Sequence, residues 1–317
     1  MAGTGQGSPP ALSEALRGDR RTVRRRSGPL AMYVGGSGTP ILLVHSINAA
    51  ASAYEVGPIF HALAADRRVY APDLPGFGFS DRSDRRYAID LYVDAILDSL
   101  DEIAAEHGGA PVDALALSLS SEFLTRAAAR DPGRFRSLTL VTPTGFERGS
   151  DTRRKADGAT REVPFLHAAL TRPGWGRPLF DLLVSRPSIR FFLKKTFGTP
   201  RIDEGLLAYD YVTAHQPGAR FAPFAFVSGR LFAADIRTIY EQLALPVFVP
   251  HATRGDFQDV SEIGWTRSRP NWRIQAFPTG ALPHFEEPEA FVAALRAFLS
   301  DADGYPSSSS GSRSPSP

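Results

Sequence analysis

One segment, Asp113–Glu122, runs from alternating Ala and Leu residues straight into a helix-forming stretch, with Ser118 at the junction. The residues two positions before and after this serine, Ala116 and Ser120, are both small. A strand that turns sharply into a helix needs small residues there, because bulky side chains would collide with neighbouring backbone. The segment therefore predicts a strand–turn–helix unit with the serine hydroxyl projecting from the sheet and the next N–H, that of Leu119, at a helix N-terminus.

Strands and helices alternate on both sides of this unit. Apolar runs predict strands, and a helix-period pattern of apolar residues predicts a long helix from Ile89 to His107. The alternation predicts an α/β fold, with a mostly parallel central sheet and helices on both of its faces. The further predicted elements are the strands Pro40–His45, Arg68–Leu74, Ser137–Val141, Pro246–Pro250 and Arg273–Phe277 and the closing helix Pro288–Leu299.

The alternation of strands and helices stops between residues 146 and 242, where aromatic residues and prolines occur without strand periodicity. We interpret 146–242 as a mainly helical cap inserted into a core made of 19–145 and 243–300, and expect it to lie on the sheet and line a pocket. Residues 1–18 and 301–317 are rich in Gly, Ser and Pro, which predicts a disordered arm and a disordered tail.

Composition excludes several classes of site and partner. The chain of 317 residues has no cysteine, which excludes disulfides, thiolate nucleophiles and cysteine metal sites. His167 and His251 have no partners at ligand spacing, so no metal is expected. A formal net charge of +2 gives no strong overall field for nucleic acid, and no apolar run approaches the length of a membrane span. We expect a cytoplasmic protein, and its oligomeric state stays open.

Two further residues complete a candidate catalytic group with Ser118. A serine hydroxyl is a weak nucleophile unless a base accepts its proton and a third group orients that base. His284 lies in a loop between a late strand and the closing helix, and Asp256 follows the strand Pro246–Pro250. These positions predict a Ser-His-Asp triad, with Asp259 as an alternative acid.

Three sequence runs resemble the α/β-hydrolase superfamily over roughly residues 30–300. His45-Ser46-Ile47-Asn48 is similar to the family's oxyanion turn, and Asp73–Ser80 matches its DxPGxGxS run. Pro132–Phe135 resembles the run that ends the helix after the nucleophile, a register that selects Ser118 over Ser120.

The resemblance implies a serine hydrolase that needs no cofactor and cleaves a small or medium apolar ester, or a related acyl or carbon–carbon bond. It assigns Ser118, Asp256 and His284 to catalysis and the backbone N–H groups of Ile47 and Leu119 to an oxyanion hole. A histidine base implies an acid-side pKa of about 6–7 in the rate.

Three departures from the family pattern keep other functions open. Ala116, Ser120 and Ser46 stand where the family has glycine, and each adds a Cβ that would be strained if φ were positive. One alternative is therefore a catalytically impaired protein that binds a ligand. A second is a non-hydrolytic relative that uses the same pocket for lyase or proton-transfer chemistry.

Overall fold

The computed structural model of the protein describes residues 10–149, 159–172 and 174–302. These residues form a central eight-stranded sheet with the strand order β1-β2-β4-β3-β5-β6-β7-β8. The strands from β3 to β8 are parallel to their neighbours, while β2 is antiparallel to both β1 and β4. The strands are β1 Asp19–Arg25, β2 Gly28–Gly35, β3 Thr39–Val44, β4 Arg67–Pro72, β5 Val112–Leu117, β6 Phe135–Val141, β7 Val247–Ala252 and β8 Trp272–Phe277.

Helices cover both faces of the sheet, which confirms the predicted α/β fold class. The long helix has the predicted bounds and ends at Gly108, whose positive φ suits a left-handed cap. The helices are α1 Gly57–Leu63, α2 Ile89–His107, α3 Ser120–Arg130, α4 Pro164–Thr171, α5 Gly176–Leu183, α6 Arg186–Phe197, α7 Glu204–Ala214, α8 Phe221–Val227, α9 Ile236–Gln242, α10 Pro283–Glu286 and α11 Pro288–Ala302, with a 3₁₀ turn at Ala53–Val56 before α1.

The central strands are buried on both faces, which explains their unbroken apolar sequences. Every residue of β5 is buried, as are the last five residues of β3. Successive side chains of β3 point to opposite faces: Leu42 and Val44 pack in the cluster with α2 and α3, whereas Ile41 and Leu43 pack with α1 and α11. The middle of the sheet is thus a rigid base for the turns at its edge.

Helices α4 to α9 occupy the chain between β6 and β7 and pack on the sheet domain. Tyr209 of α7 stacks on Tyr54 of the 3₁₀ turn, with ring centroids 4.9 Å apart. Ala222 and Ala225 of α8 belong to the same buried cluster as α2 and α3. The domain limits predicted from the sequence, 146–242 for the insertion, remain a prediction.

The predicted disordered arm is wrong for its final residues. Ala15 and Leu16 are buried, and the Ala15 N–H donates to the Tyr33 hydroxyl at 3.0 Å. Residues 1–9 and 303–317 of the predicted arm and tail lie outside the described residues. Hydrogen bonds from Tyr209 to Ser13 O at 2.9 Å and from Gln216 to Pro10 O at 2.7 Å also hold the 10–18 segment, although its composition suggests a flexible chain.

A buried carboxylate ties three strands together at the amino end of β5. Asp113 is fully buried and accepts hydrogen bonds from Arg67 at 2.7 Å, from Arg136 at 2.9 Å and from Ser137 at 2.6 Å. Arg67 belongs to β4, while Arg136 and Ser137 belong to β6. One side chain therefore fixes β5 against strands on either side of the sheet centre.

We expect Asp113→Ala to lower the free energy of unfolding by about 3 kcal/mol, because removing one member of a buried ion pair leaves its partners with uncompensated charge. Urea unfolding followed by circular dichroism measures this change. Asp301→Ala is the matched control: Asp301 pairs with Arg273 at 3.2 Å but is 77% exposed, so its loss should cost less than about 1 kcal/mol. Equal effects of the two substitutions would contradict the structural role of Asp113.

Candidate active site

The turn between β5 and α3 has strained backbone at Ser118. Its φ is +49°, and within the described residues only Thr142 shares a positive φ among non-glycine residues. Ser118 N–H donates to Val141 O at 2.9 Å, and Ser121 N–H donates to Ser118 O at 3.0 Å. Residues other than glycine adopt positive φ only where surrounding structure enforces it, and such residues concentrate at functional sites.

The small residues around this turn fit without strain of their own. Ala116 and Ser120 are fully buried, and neither has a positive φ. Ser46 has no positive φ either. None of the three residues that stand where the family has glycine therefore carries the backbone strain that a positive φ would cause. Ser118 itself is half-buried, while the Ser120 hydroxyl is enclosed and has no hydrogen-bond partner.

The turn after β3 is built around a neutral histidine. His45 Nε2 accepts the Leu74 N–H at 2.8 Å, and Nδ1 is 2.6 Å from Ser46 O. A nitrogen that accepts is unprotonated, so Nδ1 carries the proton and donates to that carbonyl. Burial lowers the pKa of His45. This side chain joins the turn after β3 to the loop after β4.

The loop after β4 contains the DxPGxGxS run and is held by its first residue. The Asp73 carboxylate is buried and accepts the N–H groups of Ala53 and Phe79, each at 2.9 Å. Gly78 has φ +50°, and a Cβ there would lie 1.9 Å from the carboxylate carbon of Asp73. The carboxylate and the glycine of this run therefore fix the shape of the loop after β4 and join it to the 3₁₀ turn.

Glu55 is a residue that the sequence reasoning missed. Its buried carboxylate accepts the Ser46 N–H at 2.8 Å, the Ser46 hydroxyl at 3.0 Å and the Asn48 side-chain amide at 2.7 Å. These contacts lie on either side of Ile47 and fix the turn that carries its N–H. Asp210 of α7 is buried as well, and burial followed by the nearby charge of Glu55 raises its pKa well above the ordinary value.

His284 lies in α10 and is fully buried. Its Nε2 is 2.8 Å from Glu55 O, and since a carbonyl can only accept, Nε2 carries the proton. The other nitrogen, Nδ1, is buried without a hydrogen-bond partner. Burial lowers the pKa of His284 to about 4, so the ring is neutral at pH 7 with an unprotonated nitrogen.

The two candidate acids lie at the surface after β7. Asp256 is 54% exposed on its side chain and forms an ion pair with Lys195 of α6. Asp259 accepts the Ser261 N–H at 2.9 Å and the Arg148 N–H at 3.2 Å; hydrogen bonding from the Ser261 side chain, followed by that N–H, lowers the pKa of Asp259. Within the described ranges, the hydrogen bonds of these carboxylates do not reach His284, and none joins His284 to Ser118.

The C-terminal turn of α6 nevertheless joins the loops that carry both predicted partners. Lys195 O accepts the Asp256 N–H at 3.0 Å, and Thr196 O accepts the Ala281 N–H at 2.8 Å. Phe197 O accepts from Arg254 Nε at 3.1 Å. The helical segment between β6 and β7 thus positions the loops that follow β7 and β8.

Another buried carboxyl, that of Glu122, lies one helical turn after Ser118. Glu122 of α3 accepts the Ala233 N–H at 2.9 Å and a hydrogen bond from the Thr144 hydroxyl. Burial raises the pKa of Glu122 to about 7. The side chain connects α3 to the segment that precedes α9.

Cavities lie on two sides of the helical segment. A cavity of about 460 Å³ lies between α2, α3 and α9, lined by Asp90, Arg126, Asp235 and their neighbours, away from the turns described above. A narrower cleft, too tight to admit a water molecule, lies between residues 49–51, the loop at Phe77 and Thr213 of α7. The described residues contain no group of three His, Asp or Glu side chains placed to hold a metal ion.

We expect Glu55→Gln to destabilise the protein by about 1–3 kcal/mol, because the new NH₂ would face N–H and O–H donors and leave one of them unsatisfied. Urea unfolding measures the change. Glu14→Gln is the control, since Glu14 is 51% exposed and pairs with Arg20 at the surface. A Glu55→Gln protein as stable as the control would show that the carboxylate does not hold the turn.

Comparisons with known proteins agree with this fold. The family model described as "Alpha/beta hydrolase family" matches residues 41–294. The 2-hydroxymuconate semialdehyde hydrolase of Pseudomonas sp. (strain CF600) is 31% identical over 116 residues, 36% of this chain and 40% of that protein, so the match spans less than half of that relative.

Two solved structures are similar over most of their length. A thermophilic esterase from Thermogutta terrifontis has a TM-score of 0.68 at 17% identity, covering 90% of this chain and 99% of the other. A variant of the meta-cleavage product hydrolase of Pseudomonas fluorescens IP01 has a TM-score of 0.67 at 18% identity, covering 89% and 98%. The family match over most of the chain, on a sheet with a strained serine at the strand–helix turn, shows that the protein belongs to the alpha/beta hydrolase family.

Proposed function

We propose that the protein is a serine hydrolase that cleaves esters of small or medium size and mainly apolar character, with Ser118 as nucleophile. The observation that carries this proposal is the positive φ of Ser118 at the strand–helix turn. Such a turn exposes the hydroxyl at the top of the sheet and places the following N–H, of Leu119, at the start of α3. The N–H of Ile47, in the turn held by Glu55, would be the second donor to an oxyanion.

In the proposed reaction Ser118 Oγ attacks the carbonyl carbon of the ester, and its proton passes to the unprotonated nitrogen of His284. The tetrahedral intermediate expels the alcohol, which takes the proton from the imidazolium and leaves an acyl-enzyme. Water then attacks the acyl carbon, again losing its proton to His284, and the carboxylic acid and free Ser118 are released. The neutral state of His284 supports its role as the base.

The acid of the proposed triad is Asp256, with Asp259 as the alternative. Asp256 would have to exchange its ion pair with Lys195 for a hydrogen bond from the Nε2–H of His284, which donates to Glu55 O in this structure, so both the loop after β7 and the imidazole would have to move. Hydrogen bonds of catalytic groups are often long or absent in unliganded enzymes and form when substrate binds. Asp256→Asn and Asp259→Asn distinguish the two, since only loss of the acting acid should lower kcat.

Hydrolysis of a carbon–carbon bond next to a ketone is the second candidate. It is favoured by the similarity to a 2-hydroxymuconate semialdehyde hydrolase and to a meta-cleavage product hydrolase. In that reaction the group expelled from the carbonyl carbon is a stabilised carbanion, which must receive a proton. Turnover of 2-hydroxymuconate semialdehyde at a higher kcat/KM than any ester of a p-nitrophenyl panel would favour this candidate.

We expect a fluorophosphonate probe to label the wild-type protein covalently and Ser118→Ala not at all, and we expect ester turnover to fall by at least about 10³-fold. Ser120→Ala is the control, since that hydroxyl is buried, and it should keep labelling. Ligand binding without labelling would favour the impaired binding protein. Turnover that survives Ser118→Ala but not His284→Ala would favour lyase or proton-transfer chemistry.

The pH dependence of kcat/KM tests the role of His284. Because burial lowers its pKa to about 4, the imidazole stays neutral and able to accept a proton well below pH 6, unlike the ordinary histidine assumed from sequence. We expect a rate that is constant from pH 7 to about 5 and falls below that as the ring is protonated. Chromatography of the acid product measures the rate, and circular dichroism at each pH shows whether the fold persists. A descending limb centred at pH 6–7 would contradict the buried, neutral state.

A further inference from the structure

Almost all of the exposed large apolar side chains lie on one segment of the protein. Nine large hydrophobic residues are exposed among the described residues, and eight of them lie between Val163 and Val227. Single exposed hydrophobic residues are ordinary, whereas a concentration of them marks a binding surface. We call six of these the α4–α6 face, with their exposed fractions: Phe165 84%, Trp175 75%, Leu179 50%, Leu182 68%, Phe191 54% and Phe192 42%.

The α4–α6 face belongs to helices that are neighbours in the structure and already have a buried side. Helix α6 buries Ile189 and Leu193 at a spacing of four residues and turns Phe191 and Phe192 outward. Helix α5 buries Phe180. The exposed residues therefore form a second apolar side of helices whose first side is packed on the protein.

Positive charge accompanies these apolar residues. The stretch 164–198 has six basic residues and one acidic residue, a net charge of +5 in a chain whose total is +2, so the rest of the chain carries −3. Arg172 and Lys194 are exposed at the ends of α4 and α6. Arg190 and Lys195 form ion pairs with Glu204 and Asp256 at the border of the segment.

We propose that the α4–α6 face binds the surface of an anionic lipid bilayer. Aromatic and leucine side chains beside Lys and Arg are the composition of helices that lie in a membrane interface. The negative surface of such a bilayer attracts basic residues placed near it. This inference goes beyond the proposed function and does not depend on it.

Other occupants fit this face less well. A second copy of the chain would bring together two segments that are still at +3 once the pairing of two basic residues with Glu204 and Asp256 is subtracted from +5, so charge repulsion opposes such a contact. Nucleic acid would use the basic residues and leave the large apolar side chains in water. The surface interaction also needs no spanning segment; among the residues described, no helix is long and apolar enough to cross a bilayer.

Flotation of the full chain with vesicles tests the proposal directly. We expect the protein to float with vesicles of phosphatidylcholine mixed with phosphatidylglycerol, and to float at least about tenfold less with phosphatidylcholine alone or in high salt. Trp175 gives a second readout, because Trp265 and Trp272 stack in an aromatic cluster with Phe146. A blue shift of tryptophan emission on adding vesicles would therefore report Trp175 entering the interface.

Matched variants separate the contributions. Trp175→Ser with Leu182→Ser should lower binding at least about tenfold, since two apolar side chains no longer enter the interface. Lys194→Ala should lower it about fivefold, while Arg24→Ala, an exposed basic residue of β1, should leave it unchanged. Trp175→Phe should keep binding and lose the blue shift.

Three results would overturn the proposal. The first is no flotation with the anionic vesicles at low salt. The second is equal flotation of the wild type and the Trp175→Ser, Leu182→Ser protein, with both shown by circular dichroism to be folded. The third is sedimentation of the wild type as a dimer that this double substitution returns to monomer, which would assign the face to a contact between copies.

Discussion

The candidate site depends on one strained turn, the positive φ of Ser118, and on the sheet that enforces it. Strand β5 is buried between β3 and β6, and its last residue pairs with Val141 of β6. The Ser118 N–H bonds to the same residue, so the turn begins from a fixed backbone position. Because α3 starts only two residues later, the change from strand to helix falls on Ser118 and Leu119.

Burial shifts the pKa of His284 and the pKa of Glu122 in opposite directions. His284 has a pKa near 4 because water is excluded from the ring, and the same exclusion raises the pKa of Glu122 to about 7. The buried carboxylate of Glu55 accepts hydrogen bonds from three donors in the turn after β3, and the Glu55 carbonyl accepts from His284. One residue therefore connects the two parts of the site that the sequence predicts separately.

The sequence was sufficient to predict those features whose signal lies within a short stretch of the chain. The bounds of α2 follow from its helix-period apolar residues, and the α/β class follows from the alternation of elements. The individual helices of 164–242 could not be placed, because proline and aromatic residues obscure their periodicity. Glu55 is the one charged residue of the stretch Ala51–Val56, which is the signal that could have pointed to it. The pairing of Asp256 with Lys195 joins residues 61 positions apart and has no local signal.

The backbone at the end of α6 is in direct contact with the backbone of the loops that follow β7 and β8. A Cβ on Gly280 would lie 2.4 Å from the Cα of Phe197, and one on Gly198 would lie 2.6 Å from the nitrogen of Gly255. Backbone atoms make these contacts, so a side chain cannot rotate away to make room for a larger residue in place of either glycine. Three stretches distant in sequence are therefore constrained to vary together, because a larger residue at one of them would have to be matched by a change at the other two.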